Sequence, residues 1–265
     1  MKKAILVISV LSLMLASFTA GVEYQRGDVD QNGRVNIDDV TFLIDYLLKG
    51  AWGDEPVTPV DNHEYVDLGL PSGTLWATCN VGANAPEEYG DYFAWGETSP
   101  KEVYNWETYK WCNGSMYDLT KYNTDSRWGF VDNKTELEPE DDAATVNWGP
   151  WWRTPTTEQQ KELMDECTWQ RTTVNGVHGF KVRGSNGNSL FMPAAGYRDN
   201  DQLIDAGTFG DWWSRSCYTS NGISTYAFSC CDMGFNWAEW TQFWNGVYSY
   251  RYYGHSVRAV RVSEE

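Results

Sequence analysis

The stretch EYVDLGLPSG, Glu64 to Gly73, sets Val66, Leu68 and Leu70 at every second position against polar or small residues, the alternation of a half-buried strand. From His63 onward the chain keeps this character, with short apolar runs bounded by Gly, Asn, Asp and Pro and a high density of Trp and Tyr. Further strands are expected at HGFKVRG (178–184), NSLFMPAAG (188–196), STYAFSC (224–230) and HSVRAVRV (255–262). One helix stands out at PTTEQQKELMDECTW (155–169), opened by Thr156 after Pro155 and burying Leu163, Met164 and Cys167. The expected class is α+β with long loops, and loops this long in a compact domain are functional surfaces or need cross-links.

Composition bounds the rest. A chain of 265 residues that is 42% apolar and 15% aromatic has the material for a sizeable core. A formal net charge of −17 argues against nucleic acid or an anionic membrane as partner, since either would need a basic patch. The first 21 residues place Lys2 and Lys3 ahead of an apolar run that ends in small residues, the layout of a cleaved secretory signal peptide. The run is short for a membrane span, so no span is expected after cleavage and the protein is expected outside the cell or on its surface. Six cysteines in an exported chain permit disulfides in 15 combinations, which sequence alone leaves open; the adjacent Cys230 and Cys231 could hardly bond each other without strain.

GDVDQNGRVNIDD, Gly27 to Asp39, has the pattern of a calcium loop. Asp28, Asp30 and Asn32 fall at positions one, three and five, Gly33 takes the turn at six, Arg34 offers its carbonyl at seven, and Asn36 and Asp39 stand at nine and twelve. Val40, Leu43, Ile44 and Leu47 then follow at helical spacing, with Asn36 as N-cap and Gly50 as stop, so residues 22–50 read as a small EF-hand-like loop-helix module that binds Ca2+. GAWGDEPVTPVDN (50–62) lacks periodicity, and residues 51–62 read as a linker to a domain at 63–265.

Two resemblances build on these residues. GDVDQNGRVNIDDVTFLIDYLL is similar to one repeat of a dockerin, the calcium module that docks enzymes onto cohesin-bearing scaffolds. The absence of a second repeat and the pair Ile37 and Asp38 at loop positions ten and eleven weigh against a cohesin-like partner. The remainder resembles the Fibrobacter succinogenes major paralogous domain family, through VDLGLPSGTLWATCNVGA, EEYGDYFAWGET, DDAATVNWGPWWRTPTTEQQKEL, FMPAAGYRD, DWWSRS and YYGHSVRAVR, in that order. The resemblance implies a C-type lectin-like or sulfatase-modifying-factor-like fold in which EYVDLGL and SVRAVRV pair as terminal strands.

No catalytic group is expected. His63, His178 and His255 have no companion motif, and carboxylate pairs such as Asp141 with Asp142, or Asp91 with Glu97, are common in so acidic a chain. FNWAEWTQFWNGVYSYRYYG (235–254) interleaves rings with Asn, Gly, Ser, Thr and Gln and reads as an exposed aromatic loop, whereas Trp212 and Trp213 read as core. Rigid rings beside adaptable polar groups form recognition surfaces. Trp237, Trp240, Trp244, Tyr248, Tyr250, Tyr252 and Tyr253 are therefore the candidate ligand-binding residues, for a glycan in the first instance. The alternatives are a protein-binding display scaffold, of the kind diversified by a retroelement, and a dockerin-borne component of a polysaccharide-degrading assembly.

Overall fold

The computed structural model describes residues 63–217, 229–236 and 243–262, the backbone alone for 229–236 and 243–248, all within the compact unit Pro59–Glu265. The signal segment, the calcium loop from Asp28 to Asp39 and the linker lie outside the described residues.

The described part is sheet-rich with few helices, compatible with the α+β class. A four-stranded antiparallel sheet has the order β1-β2-β12-β3, from β1 (Tyr65–Asp67), β2 (Leu75–Ala77), β3 (Trp152–Arg153) and β12 (Val260–Arg261). A second sheet is β4 (Thr168–Val174), β5 (Val177–Arg183) and β6 (Ser189–Pro193). A hairpin follows from β7 (Tyr197–Asp199) and β8 (Gln202–Ile204). The third sheet is ordered β11-β10-β9, from β9 (Phe209–Cys217), β10 (Ser229–Asn236) and β11 (Phe243–Tyr250). Two α-helices stand among these, the short α1 (Ala143–Trp148) and α2 (Thr157–Glu166). No helix among the described residues is long and apolar enough to cross a membrane.

Two expectations need correction. The terminal strands do not pair with each other, because β2 lies between β1 and β12. HSVRAVRV supplies only two residues of ladder. Before β12, residues 254–259 are buried and held by single contacts to several different segments, among them Phe93↔His255, Trp212↔Ser256 and Val81 N→Val257 O. A segment surrounded by the core on all sides has no one neighbour with which to form a continuous ladder.

Gly69, at φ +68°, ends β1, and an added Cβ there would crowd Ser185 and Asn186. The apolar alternation nevertheless continues past it into the core, with Leu68 and Leu70 buried and Val66 packed against the same cluster. On β9 the adjacent Trp212 and Trp213 point to opposite faces and both are buried, as in a strand covered on two sides. Trp212 joins the cluster of Leu68, Leu163 and Val182, while Trp213 joins that of Phe93, Trp95 and Val257. Their indole N–H groups are satisfied by Asn80 Oδ1 at 3.0 Å and the Phe93 carbonyl at 2.7 Å.

Helix α2 begins where its sequence signals place it. Thr156 Oγ1 accepts from Gln159 N at 3.2 Å and Gln159 Oε1 accepts from Thr156 N at 2.9 Å, closing a capping box. Leu163 is fully buried, and Gln160 Nε2 donates to the Trp212 and Trp213 carbonyls, fastening the helix to β9. Replacing Thr156 with Ala removes one half of the box and is expected to lower stability by about 1 kcal/mol in urea unfolding, with an unchanged m-value.

Candidate functional site

Three segments distant in sequence meet at one surface. The first is the loop from Tyr104 to Tyr109, the second the β7–β8 hairpin, and the third the turn from Tyr250 to Gly254 that follows β11. Backbone bridges join them. Tyr104 and Asn200 exchange hydrogen bonds at 2.9 and 2.8 Å, and Arg198 and Gly254 exchange another pair at 2.8 and 2.9 Å. Gly254 is required at this junction, because a Cβ would stand 2.6 Å from Tyr104 Cε1 and 2.8 Å from Arg198 Cβ. Tyr104 is pinned from below by its hydroxyl, which donates to the Tyr92 carbonyl at 2.6 Å.

On this frame the rings assemble. Tyr250 and Tyr252 are stacked with centroids 5.5 Å apart and planes at 9°. Trp106 crosses Tyr252 edge-on at 5.1 Å and lies 6.3 Å from Tyr250. Tyr253 meets Tyr252 at 4.8 Å and Tyr197 at 5.2 Å, so five rings from three segments form a continuous aromatic platform. Tyr250 is 40% exposed, the others half-buried. Ring pairs at these separations each add about 0.5–1.5 kcal/mol beyond area burial, so the platform is preorganised by its own contacts.

His255 forms the floor. It is 2% exposed, T-shaped against Trp213 at 4.2 Å, and lies beneath Tyr197 and Tyr253 at 5.9 and 6.2 Å. Burial pulls its imidazole down to about 3, so it is neutral in the folded protein at ordinary pH. Burial likewise pushes the Tyr197, Tyr252 and Tyr253 phenols up, helped by the neighbouring Asp199 carboxylate, so all three remain protonated donors. Tyr197 and Asp199 stand two apart on β7 and hence on one face, which brings that carboxylate to the platform. Asp201, Asp205 and Glu107 are exposed on the same hairpin and loop. The nearby cations are engaged elsewhere: Arg198 lies over the Tyr92 ring at 5.4 Å, and the fully buried Arg251 donates to the Tyr122 carbonyl at 2.7 Å.

Of the expected ligand-binding residues, Tyr250, Tyr252 and Tyr253 are therefore brought together. Trp244 and Tyr248 lie on β11, and Trp237 and Trp240 fall outside the described residues, as do the calcium ligands Asp28, Asp30, Asn32, Arg34, Asn36 and Asp39. The expected loop is corrected over Phe243–Tyr250, which pairs with β10 as a strand, since a run dense in Phe, Trp, Val and Tyr has high β-propensity. Trp106 and Tyr197 were not legible as partners; NWETY, with its ring among Asn, Glu and Thr, carries only a weak signal. A smaller exposed stack lies at Tyr117 on Trp128, centroids 5.3 Å apart.

Three of the paired carboxylates, Asp141, Asp142 and Glu97, serve the framework. Asp142 caps α1, accepting from Ala144 N and Thr145 N, and also binds the Thr154 backbone and hydroxyl. Asp141 takes Lys121 at 2.6 Å and the Tyr122 hydroxyl at 2.7 Å. Glu97 accepts from Lys101 Nζ at 2.9 Å and Lys110 N at 2.8 Å.

No protein-family model, curated protein or solved structure matches this chain.

The buried His255 sets a pH dependence. Its folded pKa lies below the unfolded one, so the unfolded chain binds the extra proton and this contribution to stability, complete above about 6.5, is lost as pH falls toward 3. The loss approaches roughly 1.4 kcal/mol per pH unit within that window. Urea unfolding between pH 7 and 4 should show a shallower fall for His255→Gln than for the wild type.

Proposed function

We propose that this is a secreted or cell-surface, non-catalytic binding protein that recognises glycan on the aromatic platform. The observation that carries the reading is the Tyr250–Tyr252 stack crossed by Trp106, a rigid ring surface with a solvent-facing edge and phenol donors. Sugar rings present apolar C–H faces bordered by hydroxyls, and such a surface offers stacking and hydrogen bonds together. The reading extends to the fold and the amino-terminal module. Residues 63–265 take the C-type lectin-like fold of the major paralogous domain family, and Asp28, Asp30, Asn32, Arg34, Asn36 and Asp39 hold one structural Ca2+ in a dockerin-like repeat. The carboxylates of Asp199, Asp201, Asp205 and Glu107 around the rings favour neutral glycans over uronic or sulfated ones.

A glycan array followed by titration calorimetry tests the platform. Trp106→Ala and Tyr252→Ala should each weaken binding about tenfold or more, while Tyr117→Ala at the separate stack should leave it unchanged. Asp199→Asn should narrow the gap between neutral and anionic ligands. If the folded protein binds no glycan, the protein-binding scaffold becomes the better reading, since rings among Ser, Gly and Asn also suit a protein epitope.

The calcium reading has its own measurement. Calcium titration of the full chain should give one site, and Asp28→Ala with Asp39→Ala should abolish it while leaving unfolding of the platform domain unchanged.

A further inference from the structure

The three-stranded sheet resolves which cysteines can meet. Cys217, the last residue of β9, stands directly opposite Cys230 on β10 in antiparallel register. The backbone also fixes the kind of position. Cys217 N donates to the Thr135 carbonyl at 2.6 Å, and Glu136 bridges Ser216 on that same outer edge of β9. The amide of Cys217 is thus turned away from β10, which makes Cys217 and Cys230 a non-hydrogen-bonded pair. Such pairs bring Cα atoms to about 4.5 Å, the closer of the two antiparallel spacings. That separation lies within the range of about 4.4–6.8 Å that a disulfide spans.

The other cysteines have no such counterpart. Cys231 is opposed by Tyr248 on β11, and the register with β9 is interrupted beside it, between Cys230 and Asp232. Cys79, Cys112 and Cys167 carry free thiols on three separate segments, and Cys217 also stands as a thiol in this structure, its Sγ accepting from Arg251 Nη2 at 3.3 Å, so a bond to Cys230 is one that oxidation would form. Burial pushes the first three thiols up, Cys167 to about 11, so they are poor nucleophiles for exchange.

We propose that Cys217 and Cys230 form a cross-strand disulfide that staples β9 to β10. The reaction needs an oxidant, which is a disulfide donor such as oxidised glutathione or a thiol oxidase. One cysteine thiolate attacks a donor sulfur, forming a mixed disulfide and releasing the donor's first thiol. The second thiolate then attacks the cysteine sulfur of that intermediate, forms the Cys217–Cys230 bond and displaces the donor's second thiol. Two electrons pass to the donor, and the two cysteine protons end on its thiols. The staple also anchors β11, which pairs with β10 and leads directly into Tyr250 of the platform.

The test is peptide mapping of the full chain equilibrated in a glutathione redox buffer, unfolded in iodoacetamide and digested without reduction. Cys79, Cys112 and Cys167 should be alkylated, and the Cys217 and Cys230 peptides should be joined. Cys231→Ser should keep the link, and Cys230→Ser should abolish it and leave Cys217 alkylated. Dithiothreitol should lower the Tm of the wild type by roughly 6–12 °C and leave that of a folded Cys230→Ser protein unchanged. Alkylation of Cys217 in the oxidised wild type, or a link that survives in Cys230→Ser and is lost in Cys231→Ser, overturns the proposal.

Discussion

Arg258 holds the molecule together from its centre. Its guanidinium is fully buried, and among the described residues no carboxylate accepts from it. Instead Nε donates to Asn80 Oδ1 at 2.9 Å, Nη1 to the carbonyls of Ala77 and Thr78 at 3.2 and 2.8 Å, and Nη2 to the Phe191 carbonyl at 3.1 Å. Asn80 Oδ1 also takes the Trp212 indole, and Asn80 Nδ2 donates to the Tyr89 carbonyl. One cation thus joins the segment after β2, strand β6, strand β9 and the carboxy-terminal segment. Burial draws its pKa down to about 10, yet it remains charged at neutral pH because carbonyl dipoles replace the lost water. Removing the side chain would take one donor from each of those acceptors, so its position constrains each neighbour.

The platform depends on the same centre. Residues 254–260 run from the platform junction at Gly254, through His255 against Trp213, to Arg258 and then β12. Ring positions at the surface are consequently set by packing several residues deeper. This is how tyrosines on and beside a turn hold a fixed geometry without a helix beneath them.

Local signals in the sequence are legible where one segment decides its own conformation. The capping box at Thr156, the alternation of Val66, Leu68 and Leu70, the strands at 177–183 and 189–193 and the burial of Trp212 and Trp213 all follow from short-range pattern. What was lost depends on neighbours. FWNGVYSY has too little polar alternation to announce a strand, and its ladder is supplied by β10. β2 came to lie between β1 and β12 through pairings of Leu75 and Trp76 with both, which no local pattern encodes. Of the site, the three tyrosines near the carboxy terminus were legible because they cluster in sequence. Trp106 and Tyr197 were not, because they reach the platform through the bridges at Asn200 and Gly254.

The threading of residues 254–260 through the core has a consequence for the birth of the protein. On a ribosome, synthesis proceeds from the amino terminus, and the central cation emerges after every group that accepts from it. Strands β2 and β6 therefore wait for a partner that has not yet been made. Contacts of such long sequence separation make folding late and slow rather than progressive. Closure of this central network therefore follows the synthesis of residues 254–260 and cannot precede it.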